Sequence, residues 1–299
     1  MNNTSAFDSD LNPLLCIASD EDLAPLVEYL KDKFSESLTD SSAYKAHSPS
    51  HSKYADVIAE EIRYMGGNSL LNVIRSKGPA YHEIACDVAD KIGANFNKKN
   101  TVESVEDAIL EKILTQAVEN MTEAEKQALY EQVKGAGAYS VGGLTTAAFI
   151  MLFRSGGFSS YQLAMVVANY VARLLLGHGL ILATNATIAK VLSVVTGPVG
   201  LAISGAWTAI DLAGPAYKVT IPCVIHIAFL RKKLNSLECG NCKAILNDNT
   251  MKFCPECGSP LQGKASKKPE LLEDHDHIKV HNTIYLGDDS DKRDHLRKK

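Results

Sequence analysis

The amino-acid sequence predicts a mainly α protein: a helical bundle with a Gly/Ala-rich apolar helical region, followed by a small β zinc ribbon and a flexible charged tail. Three observations carry this. Through the first half, apolar residues recur at helical spacing behind capping residues and ahead of glycines. Beyond Lys134 the charges thin out while small apolar residues take over. Near the C-terminus stand two Cys-x-x-Cys pairs, Cys239 with Cys242 and Cys254 with Cys257.

The chain has 299 residues, enough for one large or two ordinary cores. Its hydrophobic fraction of 45% and charged fraction of 22% are those of a globular protein rather than a disordered one. A net charge of −4 provides no global attraction to nucleic acid or anionic lipid, so any such contact has to come from a local patch. The opening MNNTSAFDSD has neither a basic nor an apolar signal region. With paired CxxC motifs, this sets the expectation of a cytoplasmic location, with attachment to an inner membrane left open.

The first helix carries Leu23, Leu26, Val27 and Leu30 on one face. Ser19 or Asp22 can cap it, and Asp22 is preferred because Pro25 then falls in the first turn. Residues 35–52, rich in Ser and His, read as a loop. Tyr54, Ile58, Ile62 and Met65 form the face of a second helix that stops at Gly66 and Gly67. A short turn of helix is expected over 70–74, closed by Gly78 and Pro79, then a helix over 80–92 ending at Gly93. Ser104 and Thr122 open two more, Thr122 and Glu125 forming a capping box.

In the next eighty or so residues the main charges are Arg154, Arg173, Lys190 and Asp211. The uncharged run 191–210 has the length of a membrane span, but Gly197, Pro198, Gly200 and Ser204 dilute it. The simpler reading is a helix over 198–212 whose Ala202, Gly205, Ala206, Ala209 and Ala213 permit close backbone approach. Residues 219–230 suit a buried helix better than a span. Arg231, Lys232 and Lys233 then read as a basic helix terminus, with contact to lipid phosphate as the alternative. Whether residues 141–230 are a packed core or enter a bilayer stays open.

In CGNCKAILNDNTMKFCPECGSPL the two knuckles are separated by an eleven-residue stretch expected to form a hairpin. A two-residue gap lets both thiolates of one turn reach the same ion, so Cys239, Cys242, Cys254 and Cys257 are expected to hold one structural Zn2+. All four positions are then filled by protein, which argues against catalysis at the metal. A redox dithiol or an iron centre is the competing reading. Gly240 and Gly258 are placed to turn backbone N–H groups toward thiolate sulfur. Lys243 and Lys252 are balanced by Glu238, Asp248 and Glu256, so protein contact is preferred over nucleic acid.

Cys16, Cys86 and Cys223 read as small core residues, and His178 and His226 as satisfied core histidines. In the tail, Glu273, Asp274, His275, Asp276, His277 and His281 have metal-binding chemistry, but a solvated flexible tail is the preferred reading. The sequence contains no nucleophile elbow, phosphate loop, HExxH or dinucleotide fingerprint. The expected segments are a helical N-terminal module over 1–34, a helical domain over 35–134, the apolar helical region over 135–233, the ribbon over 237–262 and the tail over 263–299.

Three stretches resemble the bacterial YaaW (UPF0174) family, itself similar to the ubiquinol–cytochrome c chaperone family. DSDLNPLLCIASDEDLAPLVEYL resembles the DUF3944 module that opens these proteins. YMGGNSLLNVIRSKGPAYHEIACDVADKIG resembles their middle portion, and GPVGLAISGAWTAIDLAGPAYKVTIPCVIHIAFLRKK is the most specific piece. The resemblance covers residues 8–233. It implies an all-helical fold and a role beside membranes or in assembling protein complexes, and it brings no catalytic residues. The ribbon and tail depart from the short family form.

The leading expectation is therefore a non-enzymatic, chaperone-like interaction protein with a protein partner, in which the ribbon is a contact module. The alternatives are a membrane-inserting effector in stress response or defence, and nucleic-acid binding through the ribbon with Lys264, Lys267 and Lys268.

Overall fold

In the computed structural model, the structure describes residues 7–31, 36–66, 78–133, 144–176, 178–180, 215–239, 241, 245–246, 252–254 and 257–261. The chain divides into two compact units, Met1–Ser236 and Leu237–Lys299. The described part of the first is helical. The helices expected over 70–74 and 198–212, and the tail over 263–299, lie outside the described residues.

The first unit starts on a buried carboxylate. Asp8 accepts N–H groups from Asp10 (3.0 Å) and Leu11 (3.2 Å), which organises the entry to α1 (Asn12–Ile17). α2 (Asp20–Lys31) is opened by Ser19 rather than Asp22: Ser19 Oγ accepts from Asp22 N (3.2 Å) and Asp22 Oδ2 accepts from Ser19 N (3.4 Å). This reciprocal box outweighs the preference for Pro25 in the first turn, and Pro25 sits inside the helix.

Residues 35–52 are not the expected loop. They include α3 (Glu36–Asp40), α4 (Ser42–His47) and the start of a 3-10 turn, His51–Tyr54. Ser41 caps α4 by accepting from Tyr44 N at 3.1 Å. Serine at this position begins a helix, whereas the composition alone reads as a loop. α5 (Ala55–Gly66) buries Ile58 and Ile62 as predicted.

α6 (Tyr81–Ile92) ends on Gly93 as expected, and its φ of 69° makes it a left-handed cap. α7 (Val102–Glu119) starts one turn before the expected Ser104, because Thr101 is the cap and Ser104 N donates to it. α8 (Glu123–Val133) has the predicted capping box: Thr122 N donates to Glu125 Oε2 (2.8 Å), and Glu125 N donates to Thr122 Oγ1 (3.3 Å).

α9 (Thr146–Arg154) and α10 (Gly157–Leu176) follow, and α11 (Pro215–Asn235) completes the unit. α11 packs against α1, α2, α5, α6, α7 and α10 and is the hub of the core. Its residues 219–230 are all buried, polar Thr220 and His226 included, so the buried-helix expectation holds within a longer element. The described helices of the apolar region, α9, α10 and α11, are packed against other helices. Among the described residues no helix is long and apolar enough to cross a membrane.

Two ion-pair systems tie the helices together, the first of them on the hub. Glu106, almost wholly buried, accepts from Arg231 Nε (2.7 Å) and Nη2 (3.2 Å) and from the Tyr81 hydroxyl (2.8 Å). Arg231 also donates to the Asp10 carbonyl at 2.8 Å. Burial pushes the Glu106 carboxyl above its ordinary value, opposed by the Arg231 charge and the Tyr81 bond. Asp8 accepts from Tyr81 N (2.8 Å) and lies 3.7 Å from Arg63, whose guanidinium donates to the Gly78 and Pro79 carbonyls.

Lys232 and Lys233 fall in the last turn of α11, as the basic-terminus reading expected, and the run is also paired across helices: Arg231 with Glu106, Lys232 with Asp107 and Lys233 with Asp22. Opposite charges within hydrogen-bonding distance across helices hold these cations more specifically than a helix terminus does.

His226 is a core residue as expected. Its Nε2 is 2.8 Å from the Asp22 carbonyl, which can only accept, so Nε2 carries the hydrogen. His178 is not: it is exposed and faces Glu28 at 3.4 Å, because the helix of apolar neighbours ends before it. Cys86 and Cys223 are buried. Cys16 is half-buried, its thiol 3.6 Å from Asp56, and burial raises its pKa to about 12.

Candidate metal centre

The second unit offers the densest group of metal-ligating side chains among the described residues. β1 (Leu237–Glu238) pairs antiparallel with β2 (Ile245–Leu246), Leu237 opposite Leu246 and Glu238 opposite Ile245. Cys239 follows β1 directly, so the ladder closes the ends of the segment that holds the first knuckle. Of the eleven residues between the knuckles only 245–246 and 252–253 are described, so the hairpin expected there lies largely outside the described residues.

The second knuckle has the same construction. Phe253 bridges Pro260, Cys254 N donates to the Ser259 carbonyl (2.8 Å) and Leu261 N donates to the Lys252 carbonyl (2.8 Å). Gly258, at φ 69°, makes the reversal that a side chain would strain, and its N–H donates to the Cys254 carbonyl at 2.9 Å. This bond closes the turn rather than reaching sulfur as the sequence reading expected. Gly240 lies outside the described residues.

These turns bring the sulfurs of Cys239, Cys254 and Cys257 within 4.8 Å of one another. Cys239 and Cys254 are buried with Leu261 packed on them, whereas Cys257 is exposed. Cys242, the fourth predicted ligand, lies outside the described residues. The Sγ atoms of Cys239 and Cys257 are 3.6 Å apart. A disulfide needs about 2.05 Å, while thiolates at about 2.3 Å from one tetrahedral ion stand about 3.8 Å apart. The donor set therefore fits a shared soft metal ion far better than a bond between the sulfurs.

One contributor escaped the sequence reading. Asn241 Nδ2 lies 3.7 Å from Cys257 Sγ and donates to Ser259 Oγ at 2.9 Å, tying the first knuckle to the second. Its only signal was an amide side chain inside the CGNC turn.

Comparison with known proteins bears on the larger part of the chain. A UPF0174 protein of Helicobacter pylori strain J99 is 44% identical over 234 residues, which is 76% of this chain and 92% of that protein. A UPF0174 protein of H. pylori strain 26695 is 37% identical over 206 residues, covering 67% of this chain and 99% of the relative. The UPF0174 protein YaaW of Escherichia coli K12 is 29% identical over 250 residues, 80% of this chain and all of the relative. No family model matches the chain, and no solved structure matches it.

Proposed function

The chain belongs to the UPF0174 family, and from that premise we propose that it is a non-enzymatic interaction protein, chaperone-like in helping a partner protein assemble, with a structural zinc ribbon as a contact module. The observation that carries this reading is the group of three thiols within 4.8 Å, each knuckle bounded by its own antiparallel pairing. Cys242 would supply the fourth thiolate. A zinc ion held by four protein sulfurs has no position for a substrate, and it contributes folding energy to a module too small to build a core. Cys239, Cys242, Cys254 and Cys257 would hold the ion, whose contribution is to fix the shape of the two turns.

The helical unit is consistent with a scaffold. Buried charges hold helices together: Glu106 on α7 is engaged with Arg231 on α11, and Asp8 with Leu11 ahead of α1 and with Tyr81 at the start of α6. Peripheral attachment to an inner membrane stays part of the proposal, since lipid contact does not require a spanning helix.

The test is made on full-length protein purified without added metal, followed by affinity capture from native cells. One zinc per chain is expected, together with a specific protein partner whose recovery falls when Cys239 and Cys254 are changed to serine. Protein free of stoichiometric zinc removes the ribbon from this reading. Zinc-loaded protein that recovers no partner removes the interaction role.

A further inference from the structure

The three sulfurs are not equivalent. Cys239 is 1% exposed and Cys254 2%, whereas Cys257 faces solvent. A dissolved oxidant therefore reaches Cys257 first. The sulfur of Cys239, on the other knuckle, lies 3.6 Å from it. Asn241 places its amide beside the exposed sulfur and anchors itself on Ser259. A donor facing a thiolate withdraws charge from it and lowers its nucleophilicity.

We propose that the cysteine site is an oxidant-responsive switch in which Cys257 is attacked by a hydroperoxide, Cys239 resolves it as an inter-knuckle disulfide, and Asn241 restrains the first step. This rests on the zinc-ribbon reading and concerns how that site is regulated. The Cys257 thiolate attacks one peroxide oxygen, the O–O bond breaks and hydroxide leaves, giving a sulfenic acid. The Cys239 thiolate then attacks the Cys257 sulfur, the S–O bond breaks and a second hydroxide leaves. Two electrons pass from the two thiolates to the peroxide, and two protons from solvent turn the hydroxides into water. Two of four ligands are then lost to a disulfide, so the ion is released and the contact module opens. The pairing across knuckles distinguishes this route from closure of either Cys-x-x-Cys pair.

The experiment uses zinc-loaded full-length protein. Zinc content is measured before oxidant is added, so a metal-free preparation tells against the ribbon and is distinguished from failure of the switch. Hydrogen peroxide is then added, released zinc is followed with a chromogenic chelator, and samples are alkylated and mapped by peptide mass spectrometry. Zinc release in step with a first disulfide between Cys239 and Cys257 is expected, reversed by a dithiol reductant plus zinc. N241A is expected to release its loaded zinc several-fold faster, a readout independent of whether any cysteine variant folds. A first disulfide between Cys254 and Cys257, oxidation without zinc release, or an unchanged rate in N241A overturns the proposal.

Discussion

His226 and Arg231 lie on the same helix and show how burial changes what a polar side chain means. The imidazole of His226 donates from Nε2 to the Asp22 carbonyl, while its Nδ1 is buried with no hydrogen-bond partner among the described residues. Burial pulls its pKa from 6.5 down to about 4. Within that interval the unfolded chain holds a proton that the folded chain does not, so stability falls as pH falls. The loss runs from about pH 6.5 to about pH 4 and then levels off, amounting to about 3 kcal/mol for this group. Urea midpoints measured from pH 7 to pH 4 should show the slope, and His226→Gln should flatten it; equal slopes would contradict the assignment. Arg231 meets buried Glu106, so Arg231→Ala leaves an uncompensated carboxylate and is expected to cost about 3–5 kcal/mol. Adding Glu106→Gln to that variant should recover part of the loss, measured by the same denaturation. The core role of His226 was legible from its apolar neighbours. The engagement of Arg231 was not, because Glu106 stands 125 positions away.

At the scale of single elements, local chemistry explains most helix boundaries. Thr122 with Glu125, and Gly93 at the end of α6, were readable because each cap acts within a few residues. Thr122→Ala is expected to cost about 1 kcal/mol, readable as a lower denaturation midpoint. The starts of α2 and α7 were misplaced where two capping residues stand three apart, and side-chain geometry chose the earlier one in both cases. Gly78 belongs to a different category. A Cβ there would collide with the Arg63 carbonyl, on the element whose guanidinium grips the Gly78 and Pro79 carbonyls. Gly78→Ala is therefore expected to cost more than Gly93→Ala, where nothing lies within 4 Å and only the positive φ is strained, at about 1–2 kcal/mol. A comparison of the two melting temperatures decides it.

For the whole molecule, the two units rely on different sources of stability. The helical unit buries a hub helix and its ion pairs, whereas the described part of the second has a buried cluster of Cys239 and Cys254 with Leu261 against it. A strong chelator is therefore expected to abolish the structure of the second unit while the helical far-UV circular dichroism is nearly unchanged. Protease cleavage confined to the region after Ser236 would report the same event. A cooperative loss of helix on chelation would show that the metal supports the first unit as well.

Helical class, the buried character of residues 219–230, the capping box at Thr122 and the cysteine spacing could all be read along the chain, because each depends on neighbours a few residues apart. Packing settled the rest. It placed Arg231 on Glu106 and Asp8 on Tyr81, left His178 in solvent, made helices of a polar stretch and set Cys239 beside Cys257. Those outcomes depend on which distant groups share a desolvated space, and linear order carries no record of that distance.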